Sequence, residues 1–433
     1  MDNTSNLKRY ELLIGGESVP PSGGTYSTDL DPATEKPIAQ VAQGTAADVD
    51  RAVQAARAAL KPWNAIRAAE RGRILINGQV VPARPDALMY TVREPVGVVA
   101  AIVPWNFPLM IGMWKIAPAL ACGCTLIVKP AEITPLSALM IGRLALEAGV
   151  PPGVLNIVTG KGSVVGDALV AHPGVDKVTF TGSPSVGRGI LQGAAGNFKR
   201  VTLELGGKSA NVIFADANLD AATRAAASGI FFNAGQVCSA GSRVLVQRAV
   251  YDDVVERLAE RARAIKLGDP SKSETGMGPL ISAKQMQTVL DYVDIGRGEG
   301  ASLVTGGQRV GERGYFVEPA VFANVEHEMR ISQEEIFGPV VSVIPFDDEA
   351  DALRIANGTA YSLAAGVWSA DIGRVHRMAA ELKAGTVWIN TYGYTDVRLP
   401  WGGSGDSGFG REHGDVAIEN FTEPKAVWVS LAP

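Results

Sequence analysis

Two side chains have the types that acyl transfer through a thioester requires. Cys238 lies among glycines and small polar residues in the segment 231–243, and Glu204 begins the segment Glu-Leu-Gly-Gly-Lys-Ser at 204–209. A thiolate attacks a carbonyl carbon, and a separate carboxylate can then activate the water that hydrolyses the thioester. These residue types predict that Cys238 is a nucleophile rather than a core residue.

An amide side chain held between prolines is a candidate for stabilising the negative charge of such an addition. Asn106 is the centre of the segment Pro-Trp-Asn-Phe-Pro at 104–108, which follows the predicted strand 98–103. The prolines restrict the backbone, and a fixed NH2 group there can donate a hydrogen bond to an oxyanion. A purely structural turn is the alternative interpretation.

A glycine-rich turn favours a phosphate-bearing cofactor. Gly160, Gly162 and Gly166 follow the predicted strand 154–158 with the spacing G-x-G-x-x-x-G, one residue longer than the usual dinucleotide fingerprint. Glycines at such a turn let the N–H groups of the next helix reach a phosphate. An ordinary turn is the alternative.

A lysine and a glutamate follow another predicted strand. Lys129 and Glu132 come directly after the run 125–128. At the carboxyl end of a parallel strand both side chains can bind ribose hydroxyls. A solvated pair beside a proline turn is the alternative.

These candidates are positioned by an alternation of short apolar runs and helical patterns. The first series of runs is rich in Val, Ile and Leu, as in strands buried on both faces of a parallel sheet; it comprises 98–103, 125–128, 154–158, 178–181, 201–205 and 211–214. Helical patterns such as 134–148 separate the early runs, which predicts a doubly wound α/β domain. A second series after Cys238 predicts a second α/β domain, with strands at 244–247, 340–345, 364–368 and 386–389.

The bulk composition excludes several classes of function. A chain of 433 residues predicts two or three domains, and a net charge of -5 gives no sign of a nucleic-acid or membrane partner. The polar N-terminus and the absence of long apolar runs predict a cytoplasmic protein. Three cysteines do not make a disulfide framework, and four scattered histidines have no metal-ligand spacing, so we expect no metal.

Motifs along nearly the whole chain resemble those of the NAD(P)-dependent aldehyde dehydrogenase superfamily. Besides the segments around Asn106, Glu204 and Cys238, they are Phe-Thr-Gly-Ser at 180–183, Glu-Glu-Ile-Phe-Gly-Pro-Val at 334–340, Pro-Trp-Gly-Gly at 400–403 and Ser-Gly-Phe-Gly-Arg-Glu at 407–412. The resemblance implies an α/β fold in three parts. These are a Rossmann-type cofactor domain at 1–76 and 97–206, an α/β catalytic domain at 207–413, and a small β ribbon for oligomerisation at 77–96 and 414–433. It also implies a homodimer or homotetramer.

The resemblance implies a role for each chemical residue. Cys238 would attack an aldehyde, and the oxyanion would be held by the Asn106 side chain and the Cys238 backbone N–H. Hydride would pass to the nicotinamide, leaving a thioester that Glu204 hydrolyses through water. Relatives that transfer the acyl group to coenzyme A generally lack an equivalent of Glu204, so hydrolysis is favoured.

Cofactor and substrate contacts are also implied by the resemblance. Glu132 would repel a 2′-phosphate, so we expect NAD, although Lys129 leaves NADP possible. The expected cofactor residues are Trp105, Lys129, Glu132, Gly162, Gly166, Phe180, Ser183, Leu205, Glu335 and Phe337. The expected substrate residues, for a medium-sized or aromatic aldehyde, are Phe107, Met110, Trp114, Val237 and Ser239.

Three further basic residues have open roles. Arg398 either binds a substrate carboxylate or faces solvent or another subunit. Lys115 and Lys208 either serve the site or form structural ion pairs.

The chain departs from the family near Leu75 and Ile76. The segment 68–75 resembles the start of a long helical region, but it passes directly into 76–82, which resembles the entry to the ribbon. Two or three helices that wall the substrate tunnel are expected to be missing, which would open its mouth and expose apolar surface. Three hypotheses follow: an active hydrolytic enzyme, a catalytically impaired nucleotide-binding oligomer, and a coenzyme A-acylating dehydrogenase. The complete set of chemical residues favours the first.

Overall fold

A computed structural model of the chain describes residues 7–66, 79–81, 84 and 86–431. The helices are α1 (Ala46–Ala65), α2 (Pro108–Ala121), α3 (Leu136–Glu147), α4 (Asp167–Ala171), α5 (Pro184–Ala194), α6 (Leu219–Phe231), α7 (Tyr251–Ala264), α8 (Ala283–Gly298), α9 (Arg330–Gln333), α10 (Glu349–Ala356), α11 (Ile372–Glu381) and α12 (Val416–Glu419). The strands of the first half are β1 (Arg9–Tyr10), β2 (Leu12–Ile14), β3 (Glu17–Val19), β4 (Tyr26–Leu30), β5 (Pro37–Ala42), β6 (Ala87–Pro95), β7 (Val98–Ile102), β8 (Thr125–Lys129), β9 (Leu155–Ile157), β10 (Lys177–Thr181) and β11 (Arg200–Glu204). Those of the second half are β12 (Ala210–Ile213), β13 (Arg243–Gln247), β14 (Ser302–Thr305), β15 (Ala320–Ala323), β16 (Val340–Phe346), β17 (Ala364–Trp368), β18 (Thr386–Ile389), β19 (Gly408–Phe409) and β20 (Thr422–Ser430).

The first large sheet has the strand order β19-β11-β10-β7-β8-β9-β2-β3. Strands β7 to β11 pair in parallel, which confirms the predicted α/β class. From β7 the chain moves outward to β8 and β9, and it then returns to the other side of β7 for β10 and β11. A reversal of this kind opens a crevice at the carboxyl ends of the two central strands.

Both faces of this sheet are covered, because successive residues of a strand point to opposite sides. Val98, Val178 and Phe180 belong to one core, which also contains residues of α1 and α5. Val99 and Ala101 belong to a second core on the other face, with residues of α2 and α3. This double burial explains the continuously apolar runs.

The second large sheet has the order β14-β15-β16-β13-β12-β17-β18 and is parallel except for β14. The sequence grouped 211–214 with the first series, and this grouping is wrong, since β12 lies between β13 and β17. The chain leaves the first sheet at Glu204 and crosses to the second through Gly206 and Gly207. The segment between β11 and β12 is too short to contain a helix. The sequence therefore gives no sign that the chain moves from the first sheet to the second here.

The ribbon consists of β6 and β20, which pair antiparallel from Ala87 with Ser430 to Pro95 with Thr422. Trp428 is 64% exposed. The described helices include none that is long and apolar enough to cross a bilayer.

Candidate active site

The loop between α6 and β13 presents Cys238. Asn233, Ala234 and Gly235 have φ angles of 51°, 53° and 71°, so three successive residues are left-handed. A Cβ on Gly235 would overlap the carbonyl of Gly338. Glycine is therefore required where the loop turns toward the second sheet.

Side chains and close backbone contacts hold this loop in place. Gln236 Nε2 donates to the Asn233 carbonyl at 3.0 Å, while its Oε1 accepts from the Ile281 N–H at 2.9 Å. On the other side, a Cβ on Gly207 would overlap the Cys238 carbonyl. The loop that carries Cys238 thus packs directly against the segment Gly206–Gly207, which connects the two sheets.

The Cys238 thiol is a weak acid in this environment. Burial is the main cause that raises its pKa to about 12, and the carboxylates of Glu204 and Glu335 raise it further. The thiol is therefore protonated at neutral pH, and its activation requires a base or an added positive charge nearby.

The Asn106 amide lies beside this loop. Its Nδ2 donates to the Gln236 carbonyl at 3.0 Å, and Asn233 Nδ2 in turn donates to the Asn106 carbonyl at 3.3 Å. An amide NH2 group carries two donors, so one N–H of Asn106 remains for a ligand. The arrangement fits the expected oxyanion donor.

Glu204 is the last residue of β11 and is 6% exposed. Burial raises the pKa of its carboxyl well above the ordinary value, and the carboxylate of Glu412 adds to this, against Lys115 and Arg411. Its Oε1 has no hydrogen-bond partner among the described residues. A carboxylate with a raised pKa suits a general base that works near neutral pH.

A cavity of about 250 Å³ occupies the crevice between β7 and β10. It is lined by residues that follow β7, β10 and β11 and by residues of the second domain: Pro104, Trp105, Asn106, Thr181, Gly182, Ser183, Leu205, Gly206, Cys238, Gln285, Glu335 and Phe337. Ser183 is the N-cap of α5, and its hydroxyl accepts from the Val186 N–H at 3.5 Å. The positive end of the helix dipole at this position suits a pyrophosphate. The cavity therefore suits the reactive end of a dinucleotide, placed next to Cys238.

Glu335 is the charged group at the inner end of this cavity. Its carboxylate accepts from the Gly207 N–H at 3.0 Å, and a Cβ on Gly206 would overlap it. Burial raises the Glu335 pKa to about 7. Opposite, the rings of Trp105 and Phe337 make an edge-to-face contact with centroids 5.2 Å apart.

Lys129, Glu132 and Gly162 lie together at the carboxyl ends of β8 and β9. The Glu132 carboxylate accepts from the Gly162 N–H at 2.8 Å. Burial lowers the pKa of Lys129, and the charge of Glu132 opposes this shift. The two ribose candidates thus form one group on the edge that also carries Asn106.

Two expected cofactor residues lie elsewhere. The Phe180 ring is 5% exposed and belongs to the core under Gly182, where a Cβ would overlap it. Gly166 ends a short helix, Gly162–Gly166, and is buried. Neither residue lines the cofactor cavity. Both are buried and pack beneath residues of the cofactor domain.

A second cavity, of about 450 Å³, opens on the other side of Cys238. It is mostly apolar, and its lining includes all five expected substrate residues, Phe107, Met110, Trp114, Val237 and Ser239, together with Glu204. The rings of Phe107 and Phe232 are stacked with centroids 6.2 Å apart. This chamber suits a bulky apolar or aromatic group.

The structure gives the surroundings of the three basic residues whose roles are open. Lys115 is buried and pairs with Glu412, next to Glu204. Lys208 is buried, and its Nζ has no partner among the described residues; burial lowers its pKa to about 7. Arg398 pairs with Asp396, its side chain is 85% exposed, and it is not among the residues that line the substrate chamber.

Several lining residues were not predicted individually, and four of them have side chains that shape the cavities. Thr181 lines both cavities, Gln285 the first, and Phe232 and Trp401 the second. Thr181, Phe232 and Trp401 lie inside segments the sequence had singled out, but a motif does not reveal which members point into a cavity. Gln285 carries no motif, and its role follows from donating to the carbonyls of Ile336 and Phe337 at 3.1 and 2.9 Å.

Comparison with known proteins identifies the family. The model of the aldehyde dehydrogenase family matches residues 19–78 and 75–427. An aldehyde dehydrogenase of Aspergillus niger is 43% identical over 483 residues, covering 99% of this chain and 97% of that protein. The chain therefore belongs to the aldehyde dehydrogenase family.

Solved structures agree with this assignment. The NAD+ complex of an aldehyde dehydrogenase from Bacillus cereus is 44% identical, with a TM-score of 0.96 over 98% of this chain and 97% of that one. A betaine aldehyde dehydrogenase from Staphylococcus aureus in complex with NAD+ is 38% identical, with a TM-score of 0.96 over 99% and 96% of the two chains.

The comparisons also bear on the helices that are expected to be missing near Leu75 and Ile76. The family match falls into two segments that meet at 75–78. The alignment with the Aspergillus niger protein spans 483 positions whereas this chain has 433 residues, so at least 50 positions have no counterpart here. Leu75 and Ile76 themselves lie outside the described residues.

Proposed function

We propose that this protein oxidises an aldehyde to a carboxylic acid with NAD, through a covalent thioester on Cys238. One observation carries the proposal: Cys238 lines both cavities, the crevice at the end of the first sheet and the apolar chamber. A residue at this junction touches cofactor and substrate at once. Glu204 lines only the chamber, on the side from which water would reach a thioester.

The first step is addition of the Cys238 thiolate to the aldehyde carbon. The developing oxyanion accepts hydrogen bonds from Asn106 Nδ2 and the Cys238 N–H, which contribute most when charge forms in a site shielded from water. The fixed loop around Asn233 and Gln236 orients both donors before the reaction. The thiol proton must leave before attack, and the positive charge that bound NAD would bring beside Cys238 would favour the thiolate.

NAD fits the chemistry of the crevice and of the adjacent sheet edge that carries Lys129 and Glu132. Lys129 and Glu132 would bind the adenosine ribose, the N-terminus of α5 the pyrophosphate, and Glu335 the nicotinamide ribose. When bound, NAD supplies a hydride acceptor beside the tetrahedral adduct. Trp105 and Phe337 would then hold the reactive end against Cys238 and exclude water.

Hydrolysis of the thioester completes the cycle. Glu204 removes a proton from water, the water oxygen bonds to the thioester carbon, and the Cys238 sulfur leaves. A buried carboxylate with no protein partner on Oε1 is suited to this task. Transfer to coenzyme A would not need it, so its presence supports the acid as the product.

The chamber and the ribbon indicate the substrate class and the assembly. Among described residues the lining contains no basic side chain, and Glu204 is its only charge. This favours uncharged apolar or aromatic aldehydes over semialdehydes that carry a carboxylate. The exposed apolar residues of the ribbon, such as Trp428, support a homodimer or homotetramer.

The experiment is an absorbance assay for NADH with purified protein, NAD and a panel of aldehydes. We expect NADH to form with aromatic and medium-sized aldehydes, with an equal amount of acid, and a Cys238→Ala variant to produce none. Normal NAD binding without turnover would instead support the catalytically impaired oligomer. Turnover that requires coenzyme A would support the acylating enzyme.

A further inference from the structure

Polar side chains form a column along one face of the first sheet, beginning at Glu204. The paired strands β10 and β11 place three rungs in register: Thr181 with Glu204, Thr179 with Thr202, and Lys177 with Arg200. Residues two apart on a strand point to the same face. The column therefore extends from the catalytic cavities, which Thr181 lines, to the surface, where Arg200 is exposed.

The opposite face of the same strands is apolar. Val178, Phe180 and Leu203 belong to the core on that side. Polar residues within a buried strand are costly unless they find partners. Their restriction to one face distinguishes the column from scattered buried hydroxyls.

Three atoms of the column, and one of the neighbouring Glu412, lack protein partners within the described part of the chain. The hydroxyls of Thr179 and Thr181, Oε1 of Glu204 and Oε2 of Glu412 are buried without a hydrogen-bond partner among the described residues. Buried polar atoms are nearly always hydrogen-bonded, to ordered water where protein is lacking. Threonines two apart lie about 6.6 Å from each other along a strand, a distance that leaves room for one or two bridging water molecules.

Residues from the last part of the chain and from α2 pack against the column at several points. A Cβ on Gly410 would lie 2.7 Å from Cγ2 of Thr202, so the segment after β19 packs directly on the second rung. The buried Lys115–Glu412 pair lies near both Glu204 and Lys177. At the far end the Phe421 ring centroid is 5.5 Å from the Lys177 Nζ.

We propose that this column carries the proton that Glu204 takes from water, by way of the Thr179 hydroxyl and bridging waters, to Lys177 and the surface beside Arg200. The inference rests on the hydrolytic cycle proposed above. One O–H bond of the attacking water breaks and its proton goes to Glu204. The Thr179 hydroxyl and each bridging water then accept one proton from the side of Glu204 and donate one toward Lys177. The Lys177 amine accepts the proton at the end of this chain and releases it to solvent. Glu204 is left ionised for the next turnover.

The environment of Lys177 suits this exchange. Burial is the main cause that lowers its pKa to about 7; Arg200 and Lys115 lower it as well, while Glu412 and Cys124 oppose them. An amine that titrates near neutral pH both accepts and releases protons readily.

The test separates hydride transfer from hydrolysis in the Thr179→Val variant. The valine keeps the shape and removes the hydroxyl. We expect a first-turnover burst of NADH like that of the wild type, an unchanged kcat/KM, and a kcat about 10-fold lower because hydrolysis is slowed. Thr179→Ser, which keeps the hydroxyl, should restore kcat. In Lys177→Met the pH dependence of kcat should lose its inflection near 7.

Thr125→Val is the matched control. The Thr125 hydroxyl is also buried without a partner, but Thr125 alternates with Leu126 and so faces away from the column. Its kcat should be that of the wild type. An unchanged kcat in Thr179→Val, or an equal loss in Thr125→Val, would overturn the column while leaving the proposed function intact. A wild-type protein that makes no NADH would overturn both.

Discussion

Glu204 lies so close to Gly402 that a Cβ on residue 402 would overlap its Oε1. Gly402 also has a φ of 141°, which side chains rarely adopt. The Pro-Trp-Gly-Gly segment of the last loop therefore sets the position of the carboxylate from the second domain. The base and the loop that closes over it come from residues almost two hundred positions apart in the sequence.

We expect Gly402→Ala to displace the Glu204 carboxylate. Hydrolysis should slow by about 10-fold or more, since a general base must lie within hydrogen-bond reach of its proton. The burst of NADH should persist, because Glu204 is then needed mainly after hydride transfer. Gly149→Ala is the control for backbone strain, since Gly149 has a φ of 94°, nothing within 4 Å of its Cβ position, and no place in either cavity. Similar losses in both variants would contradict the role of the contact.

Much of the scaffold could be predicted because parallel strands buried on both faces require continuous apolar runs. The order of β7, β8, β9 and β10 along the chain follows from these runs. The sheet to which 211–214 belongs could not be predicted, because a crossing through Gly206 and Gly207 leaves no signature of its own.

The chemical residues were predictable because each belongs to a dense local motif. Cys238, Glu204 and Asn106 are brought together as expected. The direction of Phe180 was not predictable, since alternation along β10 turns its ring into the core while Thr181 faces the site. The contact between Glu204 and Gly402 depends on the packing of two domains, which no local pattern contains.

NAD affinity should depend on pH through Glu335. Burial raises the pKa of this carboxyl to about 7, so it is mostly protonated at pH about 6 and ionised at about 8. The ionised form accepts hydrogen bonds from ribose hydroxyls more strongly, and affinity should rise several-fold over this interval. Titration calorimetry measures it. In Glu335→Gln the pH dependence should disappear; its persistence would assign it to another group.

Glu204 should suppress the reactivity of the free thiol. After burial, its carboxylate is the first of the charges that raise the Cys238 pKa. Removing this charge in Glu204→Gln should lower that pKa, so alkylation by iodoacetamide at alkaline pH should be faster than in the wild type. Slower alkylation would show instead that Glu204 serves mainly as the base for the thiol.

The stacked pair Phe107 and Phe232 should determine substrate preference. Truncation in Phe232→Ala removes a ring that would contact an aromatic substrate in the chamber, and such a contact contributes about 1 kcal/mol. We expect kcat/KM for an aromatic aldehyde to fall about 5-fold, and for acetaldehyde to change little. Phe198, which is 95% exposed, provides the control Phe198→Ala. Equal losses for both aldehydes would place the Phe232 ring outside substrate recognition.

The central claim is that Cys238 carries the acyl group. The most direct measurement is intact-protein and peptide mass spectrometry of Glu204→Gln after incubation with NAD and an aldehyde. Because hydrolysis is slowed while hydride transfer remains, the protein should gain the mass of one acyl group per chain, located on the peptide containing Cys238. An acyl group on another residue, or NADH formation in Cys238→Ala, would contradict the account.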